Sequence, residues 1–424
     1  MPVRIIVGVN WGDEGKGKMV DYFARRADYV VRFQGGNNAG HTVENESGIF
    51  KLHLIPSGIF YKNVVNILGP GTVVNLEALF KEIQSLKDRG IQIDHDNFKM
   101  SDRAVICFPF HQLQDGYEEE RLGQKMFGST KQGIAPVYGD RYLKYSIQIG
   151  ALNHADYLKE QIIRCLDLKN RVFEGVYQKP AVDPDEVFTW AVEYGERLKP
   201  HICDSVKVLK EAQKSNSRII FEGQLGALRD VYYGIYPFST SSSTIAGFGA
   251  AGAGFFGKET PIVTGVMKAF STCVGEGPFV TEIKGDLANQ MRESSLEFGA
   301  LTGRPRRIGH FDAVASRYGC HVSGATEIAL TKLDSLSGLR ELKICTHYRI
   351  GHRLTDDFPL VPELVQAEPV YTEMPGWKDD IRNVREYGQL PGAARSYVEK
   401  IEQLVECRIA YISVGPQRES IIVR

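Results

Sequence analysis

Arg4-Ile5-Ile6-Val7-Gly8-Val9, then Asn10-Trp11, then Gly12-Asp13-Glu14-Gly15-Lys16-Gly17-Lys18: this stretch decides the fold class of the chain. The first six residues are a short, mostly β-branched run with no polar alternation, the pattern of a strand buried on both faces. The last seven match G-x-x-x-x-G-K, the core of a phosphate-binding loop. Glycines let backbone N–H groups turn inward on an anion, and a following helix, read over Lys18 to Arg26, adds the positive end of its dipole. The position after Lys18 usually carries a Ser or Thr hydroxyl for Mg²⁺, and here it is Met19. Another oxygen must hold the metal, and Asp13 inside the loop is the candidate.

The same grammar repeats outward from that loop. Tyr29 to Phe33 is a second short apolar strand that ends at Gly35-Gly36. Asn75 caps a helix with Leu76, Leu79, Phe80, Ile83 and Leu86 at helical spacing, closed by Gly90. Asp183-Pro184-Asp185-Glu186 is a helix start with a capping Asp and Pro at the first position. Arg218 to Glu222 reads as a strand emptying into Gly223, with further strands at Ile262 to Ala269, Glu327 to Leu333 and Ile409 to Ser413. Ala394 to Cys407 reads as an amphipathic helix. Strand, Gly-containing loop and helix in succession predict an α/β fold: a large, mainly parallel twisted sheet with helices on both faces and ligands at the carboxyl ends of the strands. Thr240 to Gly257, rich in Ser, Gly and Ala, is expected to be a close-packed helical region rather than a linker, because Ile245, Phe248, Phe255 and Phe256 interrupt it. Residues 1–424 are expected to form one domain, with helical excursions at about 100–215 and a base-binding part at about 325–424.

Bulk properties set limits. The chain has 424 residues, 43% hydrophobic and 24% charged, an ordinary globular composition. Lys plus Arg is 51 against 52 Asp plus Glu, so no global field draws it to nucleic acid or an anionic membrane. Anionic ligands must be held locally. No apolar run is long enough to span a bilayer, and the start lacks the pattern of a signal peptide. Seven scattered Cys without a C-x-x-C fit reduced thiols and a cytoplasmic location.

Three further clusters carry chemistry. Gln34-Gly35-Gly36-Asn37-Asn38-Ala39-Gly40-His41-Thr42 follows the second strand and places amides, a His and a hydroxyl beside the first loop. Asp13 as base and His41 as acid or charge stabiliser make a plausible pair. Thr331-Lys332-Leu333-Asp334 ends a strand with a Lys stem and a carboxylate suited to guanine. Thr302-Gly303-Arg304-Pro305-Arg306-Arg307 holds three Arg in four positions, a grip for carboxylate or phosphate. Its flanking Gly299 and Gly303 suggest a mobile clamp.

With these residues in view, the sequence resembles the adenylosuccinate synthetase family along essentially its whole length. W-G-D-E-G-K-G-K at 11–18, G-N-N-A-G-H-T at 36–42, L-H-L-I-P-S-G at 52–58, V-G-E-G-P-F at 274–279, F-D-A-V at 311–314, T-K-L-D at 331–334 and S-V-G-P-Q-R at 413–418 stand in family order. The resemblance implies GTP-dependent ligation of L-aspartate to IMP. Asp13 would take the purine N1 proton, the 6-oxyanion would attack the γ-phosphate of GTP, and aspartate would displace phosphate from the 6-phosphoryl intermediate. It implies a GTP site of Gly12, Glu14, Gly15, Lys16, Gly17, Lys18, Gly40, Thr42, Lys332, Asp334, Ser413 and Gly415. It implies a monophosphate site of Asn38, Thr130, Lys144, Gln224, Leu225, Thr240, Val274 and Arg304, and an aspartate site of Thr302, Arg304 and Arg306. His41 would stabilise phosphoryl charge, and Mg²⁺ would sit on Asp13 and the backbone of Gly40. A homodimer is implied, with Lys144 acting across its interface.

The departures from the family pattern cluster. Ser129-Thr130-Lys131-Gln132-Gly133-Ile134-Ala135-Pro136 stands where the family has T-T-G-R-G-I-G-P. Lys144 replaces an Arg, Leu225 a nucleotide-contacting Gln, Cys273 an Arg and Leu301 a Thr. All but Leu301 belong to the monophosphate site. Two readings follow: a divergent IMP enzyme with compensating neighbours, or a paralogue acting on a different purine-like monophosphate in specialised or phage metabolism. Retained Asp13 and His41 speak against a non-catalytic GTP-binding protein.

Overall fold

The computed structural model describes residues 3–258, 260–299, 303 and 305–424. Ten strands form one sheet, in the spatial order Ile421–Val423, Ile409–Ser413, Glu327–Thr331, Ile262–Lys268, Val3–Gly8, Ile219–Gly226, Tyr29–Arg32, Val65–Leu68, Phe98–Ser101 and Ile202–Cys203. All neighbours run parallel except the last two strands of the chain, which pair antiparallel. The α/β expectation holds, and residues from both ends of the chain meet in the one sheet.

The opening run lies in the middle of the sheet. Its alternation sends Ile5 and Val7 into one core, with Leu209, Phe221 and Phe255, and Ile6 into another, with Met19, Val20 and Ala24. A strand buried on both faces needs apolar residues at every position, which is why it shows no polar alternation. The helix after the phosphate loop spans Lys16–Ala24, starting two residues earlier than the sequence suggests because Gly15, at φ 95°, turns the chain. Asn75 accepts from the Ala78 N–H at 2.9 Å and Asp183 from the Asp185 N–H at 2.9 Å, each capping its expected helix.

Other boundaries moved for identifiable reasons. The Glu327 strand ends at Thr331 because Lys332 adopts a left-handed conformation, φ 62°. The strand expected to stop at Glu222 continues to Gly226 through a bulge: Ile6 pairs with Glu222 and Gly8 with Gly226, so Gly223, Gln224 and Leu225 face Val7 alone. Between 240 and 257, only Gly249–Ala253 is α-helical, after a 3₁₀ turn at Ala246–Phe248. This segment is nonetheless fixed in the fold, with the Gly252 carbonyl accepting from the Gly71 N–H at 2.8 Å. Residues 109–214 carry five α-helices, and those at 109–122, 155–172 and 184–198 share a core that includes Phe110, Leu158, Leu166 and Ala191.

Candidate active site

The loops predicted to carry chemistry leave the carboxyl ends of neighbouring strands and converge. In the phosphate loop, Gly12 and Asp13 take positive φ, 108° and 59°. Glu14 turns inward. Its carboxylate accepts from the N–H of Gly12 at 2.8 Å and of Asn10 at 3.2 Å, and pairs with Lys16 Nζ at 2.6 Å. Glu14 thus acts on the loop's own donors and on the lysine, holding both in place.

The second loop is built around a carboxylate the sequence reading did not single out. Glu222 is fully buried within the Ile219–Gly226 strand, at the last paired position before its bulge. It accepts from His41 Nδ1 at 2.6 Å, from Ser57 Oγ at 2.6 Å and from the Ser57 N–H at 2.8 Å. Burial pushes the His41 pKa down, and Glu222 opposes that shift. Burial also works against a charged Glu222, but His41, Arg32 and Ser57 hold its carboxyl below the usual range. His41 Nε2 is buried and has no partner. The residue lies close against the start of the Lys16–Ala24 helix, where a Cβ on Gly17 would stand 3.1 Å from His41 Cβ. A neutral imidazole donating Nδ1–H to Glu222 has a lone pair at Nε2, and the imidazolium has a donor there.

Asp13 meets the Arg-rich segment. Arg306 Nε donates to Asp13 Oδ2 at 2.9 Å, and its Nη1 reaches Glu297 Oε2 at 2.5 Å. Glu297 is fully buried and also takes Lys268 Nζ at 2.7 Å. Burial alone would raise the Glu297 pKa, but Lys268 and Arg306 beside it bring it down to about 2. Burial lowers Lys268 to about 8, with Glu297 opposing. Thr302 and Arg304, expected to share aspartate binding, and Leu301 lie outside the described residues; of the three arginines of the expected clamp, Arg306 meets Asp13 and Arg307 is paired with Glu282 at 2.6 Å.

On the other flank, Lys18 Nζ donates to Ser413 Oγ at 2.7 Å and to the Gly415 carbonyl at 2.6 Å, joining three predicted GTP-site residues. Burial brings the Lys18 pKa down to about 7, with nearby Asp334 opposing. Thr331 Oγ1 donates to the Glu14 carbonyl at 2.6 Å, fastening the Lys332-Asp334 turn to the phosphate loop. Lys332 Nζ donates to the Ser295 carbonyl at 2.7 Å. Burial raises the Asp334 pKa, and Lys332 and Lys18 work against it. Thr42 lies on the exposed face of the strand that His41 opens, and Gly40 directly precedes it.

Among the predicted monophosphate residues, Gln224 spends both ends of its amide. Its Oε1 accepts from Arg32 Nη2 at 2.6 Å and the Gly36 N–H at 3.0 Å, and its Nε2 donates to Asn38 Oδ1 at 2.5 Å. That bond fixes the Asn38 amide with its oxygen on Gln224, which leaves its NH₂ end as the donor side of the group. Gly35, at φ 82°, is required here, because a Cβ would meet Gln224 Oε1 at 1.8 Å. Leu225 sits at φ 59°, strained for a branched side chain. Val274 and Thr240 are joined through Arg229, whose Nη2 donates to the Val274 carbonyl at 2.6 Å and whose carbonyl accepts from the Thr240 N–H at 2.8 Å. Thr130 lies in the loop whose neighbouring N–H groups at 127–129 bind Glu119. Lys144 is exposed at the end of the Ile134–Leu143 helix, beside exposed Tyr142 and Leu143. Signals for the missed residues were faint: Glu222 stands directly before Gly223, where the sequence pattern ends the strand, and Ser57 lies in L-H-L-I-P-S-G.

A parallel sheet with a phosphate loop at its central strand and a buried His–carboxylate pair beside it defines a nucleotide-dependent α/β enzyme. The family model for adenylosuccinate synthetase matches residues 5–422, and the chain belongs to that family. It is 45% identical over 424 residues to an adenylosuccinate synthetase of Caldanaerobacter subterraneus subsp. tengcongensis, covering 100% of this chain and 99% of that protein. It is also similar to the fully ligated adenylosuccinate synthetase from Plasmodium falciparum, with TM-score 0.93, 34% identity and 100% coverage of both chains. A cyanophage S-2L succinoaminodeoxyadenylate synthetase bound to dGMP and dATP shares the fold alone, at TM-score 0.62 and 18% identity over 100% of this chain and 95% of that one. The protein is a GTP-dependent ligase of aspartate and IMP. The alternative, a paralogue for another purine-like monophosphate, is not favoured.

Proposed function

We propose that the residues assembled around Asp13 divide the ligation as follows. Asp13 accepts the N1 proton of IMP. The 6-oxygen takes the γ-phosphoryl group of GTP, giving GDP and a 6-phosphoryl nucleotide. The aspartate amine then attacks C6, the C6–O bond breaks, and phosphate leaves with adenylosuccinate formed. His41, with Glu222 behind it, donates from Nε2 to the phosphoryl oxygens as charge builds there. Lys332 covers the guanine face and Asp334 accepts from its N1–H and N2–H₂. Thr302, Arg304 and Arg306 grip the aspartate carboxylates.

The observation that carries this reading is the 2.9 Å contact between Arg306 and Asp13. It ties the residue proposed for proton removal to the segment proposed for aspartate, so the two reacting partners are delivered to one place. The Asp13 side chain is 28% exposed, and Arg306 meets it at one oxygen. An all-oxygen set of the Asp13 carboxylate and the Gly40 carbonyl suits Mg²⁺, which takes few protein ligands when phosphates complete its shell. Among the described residues no group of three His, Cys, Asp or Glu could hold a metal alone. When bound, the ion would neutralise phosphate charge. All seven cysteines are free thiols, which supports a reducing, cytoplasmic setting. No described helix is long and apolar enough to cross a membrane. Strands from both chain ends share one sheet, which supports treating 1–424 as one working unit. Lys144 and the exposed Tyr142 and Leu143 would meet a second copy in a homodimer.

Phosphate release with GTP, IMP and aspartate tests the assignment. Asp13→Asn should lose about 10²–10⁴-fold in turnover, with an unchanged melting curve. Retention of more than a tenth of parent turnover would refute the role of Asp13, and absence of release by the parent would refute the substrate set.

A further inference from the structure

Arg229 is an almost fully buried cation whose hydrogen bonds go to backbone carbonyls and a sulfur. It follows the strand that carries Glu222 and Gln224, on a 3₁₀ turn at Ala227–Arg229. Its Nη1 donates to the Phe238 carbonyl and, at 3.2 Å, to the Glu276 carbonyl. Its Nη2 donates to the Val274 carbonyl at 2.6 Å and lies 3.0 Å from Cys273 Sγ. Burying a guanidinium is costly unless its fork of donors is filled, and here backbone groups of the 238 and 274–276 loops fill it. Its own carbonyl accepts from the Thr240 N–H. One residue therefore fastens both Thr240 and Val274.

Cys273 gives this contact its meaning. It is buried, in the Ser271–Cys273 strand, paired in register with Arg307. The family pattern places an Arg at this position, directly before Val274. In this chain the guanidinium that meets the 273–274 backbone comes from Arg229 instead. The small thiol leaves the volume that the Arg229 head fills. With Arg229 in place, an Arg at 273 would crowd two guanidiniums together beside a third, Arg307.

We propose that Arg229 is a positioning residue for the nucleoside monophosphate: together with Cys273 it replaces, from a different strand end, the guanidinium absent at 273, and sets the Thr240 and Val274 backbones that face the nucleotide. The proposal rests on the assignment of those two residues to the monophosphate site. It predicts a reciprocal pair. Either Arg alone suffices, neither is too few, and both are too many.

The test is steady-state kinetics with GTP, IMP and aspartate on the full chain. Arg229→Leu should raise the KM for IMP about tenfold or more, while the KM for GTP stays within twofold. Arg229→Leu combined with Cys273→Arg should return the KM for IMP to within about threefold of the parent. Cys273→Arg alone should be worse than the parent in melting temperature. A double variant no better than Arg229→Leu overturns the proposal, as does a KM for GTP that rises in step with that for IMP. If Arg229→Leu does not fold, Arg229→Lys keeps the charge but cannot span the two loops at once. Its KM for IMP should rise selectively, and a value equal to the parent's overturns the proposal. A parent that does not turn over IMP would instead overturn the functional reading, so the two failures are distinct.

Discussion

Replacing Glu222 by Gln should convert a charge-assisted arrangement into a neutral one without disturbing shape. The carboxylate accepts three hydrogen bonds, from the Ser57 N–H, Ser57 Oγ and His41 Nδ1. A backbone N–H cannot rotate away, so the single oxygen of the new amide must face Ser57 N. Its NH₂ then points at His41 Nδ1, which has to become an acceptor. The ring is forced into the tautomer with its proton at Nε2, neutral, with no carboxylate to support an imidazolium. Nε2 can still donate, but a neutral donor binds an anionic oxygen about 1–2 kcal/mol less well than a charged one. Turnover in a phosphate-release assay should therefore fall about 5–30-fold, with little change in the KM for GTP. The pH profile should change as well. In the parent, the His41 contribution is lost as pH rises through the His41 pKa in the complex. In the variant that limb should flatten, because the neutral tautomer keeps its Nε2 proton. Turnover within threefold of the parent with an unchanged pH profile would refute the argument.

Other consequences are equally open to measurement. Asp334→Asn should weaken GTP and admit xanthosine triphosphate, because an acceptor pair becomes a donor and an acceptor; competition kinetics with the two triphosphates would show it, and an unchanged preference for GTP would contradict it. Lys144→Asn keeps a residue tolerant of the left-handed conformation at φ 66° but removes the charge. It should raise the KM for IMP more than that for GTP, in a parent that sediments as a dimer. His310 is held at a pKa of about 4 by burial and by Lys343. Its folded value lies below its unfolded one, so its stabilisation is complete above about pH 6.5 and is lost as pH falls from there toward 4. Allowing for its partial exposure, about 1–2 kcal/mol is at stake. His310→Asn should make the melting temperature less sensitive to acid over that window.

The sheet was legible because parallel strands buried on both faces announce themselves as unbroken apolar runs ended by glycine. The opening strand and those beginning at Tyr29 and Ile409 come nearest to that form. Val65–Leu68 and Phe98–Ser101 carry Asn66, Lys99 and Ser101, and Ile202–Cys203 is only two residues long. Such segments become strands because a neighbour offers its edge. The site was legible where a motif concentrates glycine and charge, as at 12–18 and 36–42. It was not legible where a candidate group depends on a buried partner that no motif marks. Glu222 lies 181 residues from His41, and Glu297 lies nine residues before Arg306, outside the Arg-rich run itself. Nothing local marks either carboxylate as a partner to those groups. Nor does sequence period reveal a bulge such as the one at 223–225, since it depends on pairing with Val7.

The bulge bears on how the altered monophosphate site works. A pocket losing its purpose would lose partners one substitution at a time and leave buried donors and acceptors scattered. At the substituted positions and their neighbours, partners are in place. Gln224 is consumed by Arg32, Gly36 and Asn38, and Gln132 holds Asn37 Nδ2 at 2.8 Å. Cys273 is met by Arg229. Buried side-chain atoms that lack partners among the described residues include Trp11 Nε1, Asn37 Oδ1, His41 Nε2 and Glu297 Oε1. These four stand just before the phosphate loop, on either side of the Asn38–Gly40 turn, and in the support of Arg306; the remaining four are on Arg32, Asn66, Thr281 and Ser323. Orphaned polar groups are expensive in a folded core, and proteins retain them where a ligand or water completes them. Four of the eight therefore fall in or beside segments assigned to the proposed site, while Gln224, Gln132 and Cys273 are each hydrogen-bonded. Leu225 fits the same account: a left-handed leucine costs about 1–2 kcal/mol, a strain that persists only where the surrounding structure fixes the backbone around it.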